Sequence, residues 1–192
     1  MTAHPTGNPC SILEAILKVW TYINHILLGE GTSGSLAGDR QKPHWTRWVW
    51  SKTTHPKHKI IAWLIYQRRL KTRSFLHRFL DIEDKCGLCG KEAETINHLF
   101  LECKITAVLR ETVFDAFGIK LKSAMLLDDI ERELQNIKTK RKRSITTAVL
   151  AANWYNIWKM RNAKIHGKEF SVEAAIKNTM FFVKSFSLYN LK

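Results

Sequence analysis

Three of the four cysteines in this 192-residue chain fall in one short stretch, CGLCGKEAETINHLFLEC at 86–103. Cys86 and Cys89 form a C-x2-C pair with Gly87 and Gly90, a spacing that lets one tight turn present two thiolates to a single ion. Glycine at 90 suits the positive-φ position that such a turn needs. His98 and Cys103 follow as a second pair. Three thiolates and one imidazole complete a tetrahedral shell with no open position for water. The chemistry indicated is one structural zinc ion rather than hydrolysis. The competing reading of the same residues is a set of free buried thiols beside a core histidine. Cys10 is left over and reads as an ordinary thiol.

The two pairs meet only if the elements that carry them allow it. His98 and Cys103 lie five positions apart, which on an uninterrupted α-helix turns them about 140° from each other. The spacing therefore predicts a helix begun by AETINHLF that carries His98 and frays or unwinds before Cys103. Six acids between 81 and 103 face only Lys85 and Lys91, which favours a bound cation. In small zinc peptides the ion contributes roughly 10–16 kcal/mol of folding free energy.

Around this cluster the pattern is helical. Residues 12–28 place apolar side chains at helical spacing, with a capping box at 11–14 and Gly29 as a stop. The Gly/Ser-rich stretch GEGTSGSLAGDR that follows predicts a flexible loop. Pro56 suits the first turn of a helix bearing Ile60, Ile61, Trp63, Leu64 and Leu70. Thr72 suits the cap of a short helix with Phe75, Leu76 and Phe79. Further helices are predicted over 105–117, 124–137, 145–163 and 172–189, the last capped by Ser171. Strand-like alternation is scarce and no internal repeat is visible, so the fold class is mainly α. The expectation is a small helical domain stapled by a Cys3His zinc knuckle with flanking amphipathic helices. Three regions follow: 1–40 as helix and loop, 41–120 as the zinc-binding domain, and 121–192 as a helical region packing on it.

Composition narrows the partners. An apolar fraction of 45% suits a globular chain, whereas a net charge of +14 favours polyanions. The charge is uneven: residues 41–80 hold ten Lys or Arg and no Asp or Glu. Lys57, Lys59, Arg68, Arg69, Lys71, Arg73 and Arg78 crowd the two helices ahead of the knuckle, with Trp45 and Trp48 as candidates for base stacking. A second run at 138–143 adds Lys140, Arg141, Lys142 and Arg143, readable as a nuclear import signal, a phosphate contact or a solvated loop. The bland alternative is that these charges solvate helix faces while the tryptophans fill the core. No membrane span is expected, because Glu14, Lys18, Asn24 and His25 interrupt the most apolar stretch, and no secretory leader is expected at 1–10. Clustered cysteines of this kind suit a reducing, intracellular compartment. His25, His44, His55, His58 and His77 lack a matching second ligand set. No phosphate loop and no nucleophile–base grouping stands out, and Asp128 with Asp129 reads as a helix face. The chain is therefore not expected to be an enzyme or to take a small-molecule substrate.

KIIAWLIYQRRLKTRSFLHRF followed by the cysteine segment resembles the reverse-transcriptase zinc-binding domain found at the C-terminal end of LINE-type (non-LTR) retrotransposon polyproteins, abundantly in plants. The matching elements are the lead-in Trp45, Trp48 and Trp50, then Ala62-Trp63-Leu64, and Arg69-Leu70-Lys71-Thr72. Glu94-Thr95-Ile96-Asn97-His98-Leu99-Phe100 continues the likeness, and Trp154, Trp158, Lys159, Arg161 and Asn162 resemble the family's W-x-x-W-K-x-R-N helix. Two positions depart from the pattern: the knuckle's usual Pro is Gly87, and a usual aromatic is His166. The polymerase's aromatic-x-Asp-Asp turn is absent from this sequence, as are endonuclease and RNase H motifs. The resemblance implies a zinc-binding, non-catalytic module that holds RNA or DNA in the nucleus. The alternatives are docking on a reverse-transcriptase core or a host protein, or an inert remnant.

Overall fold

The computed structural model describes residues 43–120, 127–187 and 189. All of them belong to the unit Lys42–Lys192. The helix expected at 12–28, its Gly/Ser loop, Cys10 and His25 lie outside the described residues. The described elements are α1 (Thr46–Val49), α2 (Pro56–Tyr66), α3 (Arg73–Leu76), a π-turn π1 (His98–Glu102) and α4 (Lys104–Ala116). They continue with α5 (Leu127–Asn136), α6 (Lys140–Ile165), α7 (Val172–Phe182) and a second π-turn (Val183–Ser187). The fold is mainly α, with no strand among the described residues and one isolated antiparallel bridge, Lys85 to Ala93.

Local chemistry sets most of the boundaries. Pro56 occupies the first turn of α2, and the His55 ring Nδ1 accepts from the Lys57 N–H at 3.3 Å. Thr72 Oγ1 accepts from Phe75 N to start α3, and Ser171 Oγ from Ala174 N to start α7. Three helices stop in the same left-handed cap, in which the third residue past the end bonds back five positions. At α4 the left-handed residue is Gly118 and at α6 it is Gly167, as steric freedom dictates. At α2 it is Arg68, φ +52°, with Arg69 N bonded to Leu64 O and Arg68 N to Ile65 O. A side chain in that conformation costs roughly 1–2 kcal/mol.

Several boundaries differ from expectation: Leu70 lies beyond the end of α2 at Tyr66, and Phe79 beyond the end of α3 at Leu76. Helix α6 starts at Lys140 rather than 145, so Lys140, Arg141, Lys142 and Arg143 form its exposed first turn instead of a loop. Helix α7 ends at Phe182 and passes into a π-turn, where an uninterrupted helix to 189 was predicted.

Helix α6 is the axis of the core. It packs against α1, α2, α4, α5, α7 and both π-turns. Every residue from Thr146 to Trp154 is buried, so the helix is covered all round in its middle turns. Trp154 lies among Trp48, Tyr66 and Phe100, with ring centroids 6.0, 5.8 and 6.3 Å away. Trp45 stacks on Tyr66 at 5.6 Å. Trp45 and Trp48 are thus core residues, which removes the base-stacking role considered for them. Asp128 and Asp129 sit on α5, as a helix-face reading requires.

Candidate metal centre

The knuckle is closed by short backbone bonds. Cys86 N donates to Glu92 O at 2.7 Å, Glu94 N to Asp84 O at 2.7 Å, and Gly90 N to Cys86 O at 2.8 Å. Gly90 has φ +69°, as its place in the turn predicted.

The five-residue spacing of the second pair is met by π1. Cys103 N donates to His98 O at 2.7 Å, an i→i−5 bond that widens the turn and returns position i+5 toward the face of position i. Thr95 Oγ1 accepts from His98 N at 2.9 Å and fixes the entry. At the exit, Cys103 is extended (φ −62°, ψ 127°) and serves at once as the end of π1 and the N-cap position of α4. Carbonyls left open by the π-turn are taken up: Thr106 Oγ1 donates to Leu99 O, and Arg110 Nη1 to Leu101 O at 2.7 Å.

The result is a four-ligand cluster. One ligand atom from each of Cys86, Cys89, His98 and Cys103 lies within 4.8 Å of all the others. Tetrahedral zinc requires ligand atoms about 3.5–3.8 Å apart, from bond lengths of about 2.0–2.3 Å. Cys89 Sγ and His98 Nε2 are 3.4 Å apart, close to that requirement. The donor set therefore fits one structural zinc held by all four residues, and such an ion stabilises the loop without an open site for chemistry. Cys86, Cys103 and His98 are buried, while Cys89 and His98 border an open groove with Lys91, Glu92, Glu102 and Lys104.

Two of the sulfurs are linked through a shared proton. The hydrogen bond between the Cys86 and Cys103 sulfurs pushes the Cys86 thiol up to about 12, with burial acting in the same direction. The same bond brings Cys103 down to about 7, helped by the N–H groups of Thr106 and Ile105 at the start of α4. Sulfurs close enough to share a proton are close enough to share a divalent ion, whose charge displaces that proton.

A second group of residues fastens the knuckle to the core. Glu94 is fully buried, and its two carboxylate oxygens are both engaged. Oε1 accepts from Arg161 Nη2 at 2.6 Å, Arg161 Nε at 3.1 Å and Arg73 N at 2.9 Å, while Oε2 accepts from Gly87 N at 2.9 Å. Arg161 Nη2 also reaches Lys71 O at 3.3 Å, and Lys164 Nζ donates to Leu88 O at 2.8 Å. One carboxylate therefore joins the knuckle, the start of α3 and the last turns of α6. The donation from Gly87 depends on its N–H, which a proline there would lack.

Sequence reasoning singled out both Glu94 and Arg161 but did not pair them. The available signal was an acid and an arginine embedded in two otherwise apolar or ligand-bearing motifs. Lys164 carried no such signal.

The basic side chains are placed as follows. Lys57, Arg68, Arg69, Lys71 and Arg78 are exposed, Lys59 and Arg73 half-buried, and Lys140 to Arg143 exposed. Arg73 Nη1 donates to Lys85 O, and Arg143 Nη2 to Ile137 O. Arg68 and Arg78 share a groove with Phe75, Thr95 and Asn97, and the Arg78 guanidinium stands 5.8 Å over the Phe75 ring. No helix among the described residues is long and apolar enough to cross a membrane.

Residues 32–109 match the model of the family described as zinc-binding in reverse transcriptase. The matched span holds all four ligands and Glu94 but ends before Arg161 and Lys164. No curated protein and no solved structure matches the chain.

Proposed function

We propose that this chain, whose residues 32–109 match the zinc-binding family of reverse transcriptases, is a non-catalytic module that binds single-stranded RNA or DNA with little sequence preference. One observation carries the reading: the groove beside the knuckle has one wall from the basic segment 68–78, Arg68 and Arg78 with Phe75, and the other from Thr95 and Asn97. Those wall residues directly precede the ligand His98, so the ion that orders His98 also orders the wall. The ion itself adds no attraction for phosphate, since three thiolates and a neutral imidazole leave a divalent site with net negative charge. Guanidinium and ammonium groups would neutralise phosphates, and the Phe75 ring offers a face to a base.

Arg68 lends further support. It holds a left-handed backbone position where glycine sits at the ends of α4 and α6, so its side chain is retained against a local cost. Its ion pair with Asp128, at 3.9 Å, is between two exposed groups and contributes little.

A salt titration of the zinc-loaded chain on labelled single-stranded RNA and DNA, repeated after chelation, tests the proposal. Replacing Arg68, Arg69 and Arg73 with Ala should lower the log–log salt slope by about 2, at about 0.7 per phosphate on a single strand. Arg68→Gly should weaken binding while leaving the fold as stable or more so. Absence of binding at low salt sinks the reading. It would leave the second one, docking on a reverse-transcriptase core or a host protein, favoured by the exposed Phe79 (71%), Leu80 (53%) and Ile82 (36%). That interaction would survive high salt and fail on Phe79→Asp. A nuclear address in residues 138–143 belongs to the same proposal and is tested by the location of a fluorescent fusion with and without those charges.

A further inference from the structure

A second groove lies away from the zinc, between α1, α5 and the beginning of α6, with a volume of about 280 Å³. Arg47, Lys140 and Arg143 line it, together with His44, and a single acid, Glu131, faces them. Arg143 is held there by its bond to Ile137 O. Among the described residues no hydrogen bond or ion pair engages the side chains of Arg47 or Lys140.

Two features of this groove are locally unfavourable without an anion. Helix α6 is 26 residues long, and no side chain caps its N-terminus. Its first turn carries four bases and no acid, which places positive side chains on the positive end of the helix dipole. Trp48, 8% exposed, also lines the groove, and its buried indole N–H has no partner in the protein. Converging cations at the first turn of α6, with the Trp48 indole in the wall, describe a receptor for a phosphate group.

We infer that this groove is a phosphate receptor, and, resting on the reading above, that its occupant is a backbone phosphate of the bound strand. The volume is near the lower end of small-ligand sites, room for a phosphate with its attached sugar rather than for a larger ligand. Glu131 works against such an occupant, so its charge sets the affinity from the opposite side.

The experiment uses the full, zinc-loaded chain, the double variant Arg47→Ala/Lys140→Ala, and Glu131→Gln; Arg143 is left intact because it closes the end of α5. On single-stranded RNA the double variant should bind roughly tenfold more weakly, with a salt slope lower by about 1.4. Glu131→Gln should bind roughly two- to threefold more tightly. Unchanged affinity and slope in both variants, with wild-type binding intact, overturns the receptor and spares the proposed function. Inorganic pyrophosphate separates the remaining cases through the Trp48 indole N–H resonance, assigned with Trp48→Phe. If RNA fails to bind the wild type but pyrophosphate shifts that resonance, and the double variant abolishes the shift, the receptor stands and the strand is rejected as its occupant. If neither RNA nor pyrophosphate has an effect, both are overturned.

Discussion

The knuckle and the middle of helix α6 are both buried, by different means. Between Asp84 and Cys103 the polar or ionisable Cys86, Glu94, His98 and Cys103 are buried alongside Leu88, Leu99, Phe100 and Leu101. Between Thr146 and Met160 they are mainly Val149, Leu150, Trp154, Ile157 and Met160. The first region is specified by ligand geometry and matched hydrogen bonds, each of which leaves an unpaired group if broken. The second is specified by area and shape, where neighbouring side chains share the loss. The two meet at Arg161, which belongs to the apolar helix yet closes the hydrogen bonding of the polar loop.

The widest separation between the regions comes from removing the metal. Zinc in small peptides is worth roughly 10–16 kcal/mol, so chelation or Cys86→Ser should expose amides 84–103 to rapid hydrogen exchange. Protection in α6 around Trp154 should outlast it. Equal loss of protection in both would mean that the helix depends on the ion as much as the loop does. An unchanged exchange pattern would remove zinc from the account.

Next in size is the link itself. Arg161→Met leaves the Glu94 carboxylate buried without its cation and should cost about 3–5 kcal/mol in denaturant unfolding. Adding Glu94→Gln should restore part of that loss, since the stranded charge is gone. If Arg161→Met is mild, the knuckle is held by zinc alone.

The apolar side has its own acid sensitivity. His58 is buried against Tyr155 of α6 and Phe182 of α7, and its Nε2 has no partner. Desolvation first, then the charges of His55 and Lys57, bring its pKa down from 6.5 to about 3. Between those values the unfolded chain takes up a proton that the folded chain refuses. This contribution is therefore complete above pH 6.5 and declines as pH falls. At pH 4.5 the loss should amount to roughly 2–3 kcal/mol, read as the part of the acid destabilisation that His58→Phe abolishes. An identical pH profile in the variant would place the acid sensitivity in the zinc ligands instead.

The smallest effect is expected at the surface. Asp128→Ala breaks only the exposed pair with Arg68 and should change stability by about 1 kcal/mol or less. A larger loss would mean that Arg68 needs this partner to keep its left-handed cap.

Residue chemistry by itself determined the four ligands, the turn at Gly90, Pro56 in a first helical turn, the caps at Thr72 and Ser171, and a helical fold. Each is a local consequence of a side chain's donors, its φ range or its spacing, so a few neighbouring residues suffice. The demand that His98 and Cys103 converge was legible as a break in a helix, but its solution as a π-turn was not. Spacing states a requirement; the bonds of Thr95, Thr106 and Arg110 decide how it is met. The fate of the tryptophans was open for a similar reason. An aromatic ring suits a core or a base equally, and only Tyr66, Phe100 and Trp154 settle the choice. The pairing of Glu94 with Arg161 spans 67 residues, and the groove of Arg47 with Lys140 and Arg143 likewise joins distant segments. No periodicity encodes such meetings. They arise when burial of α6 brings distant charges to one place, where low dielectric makes an unmatched group too costly to keep.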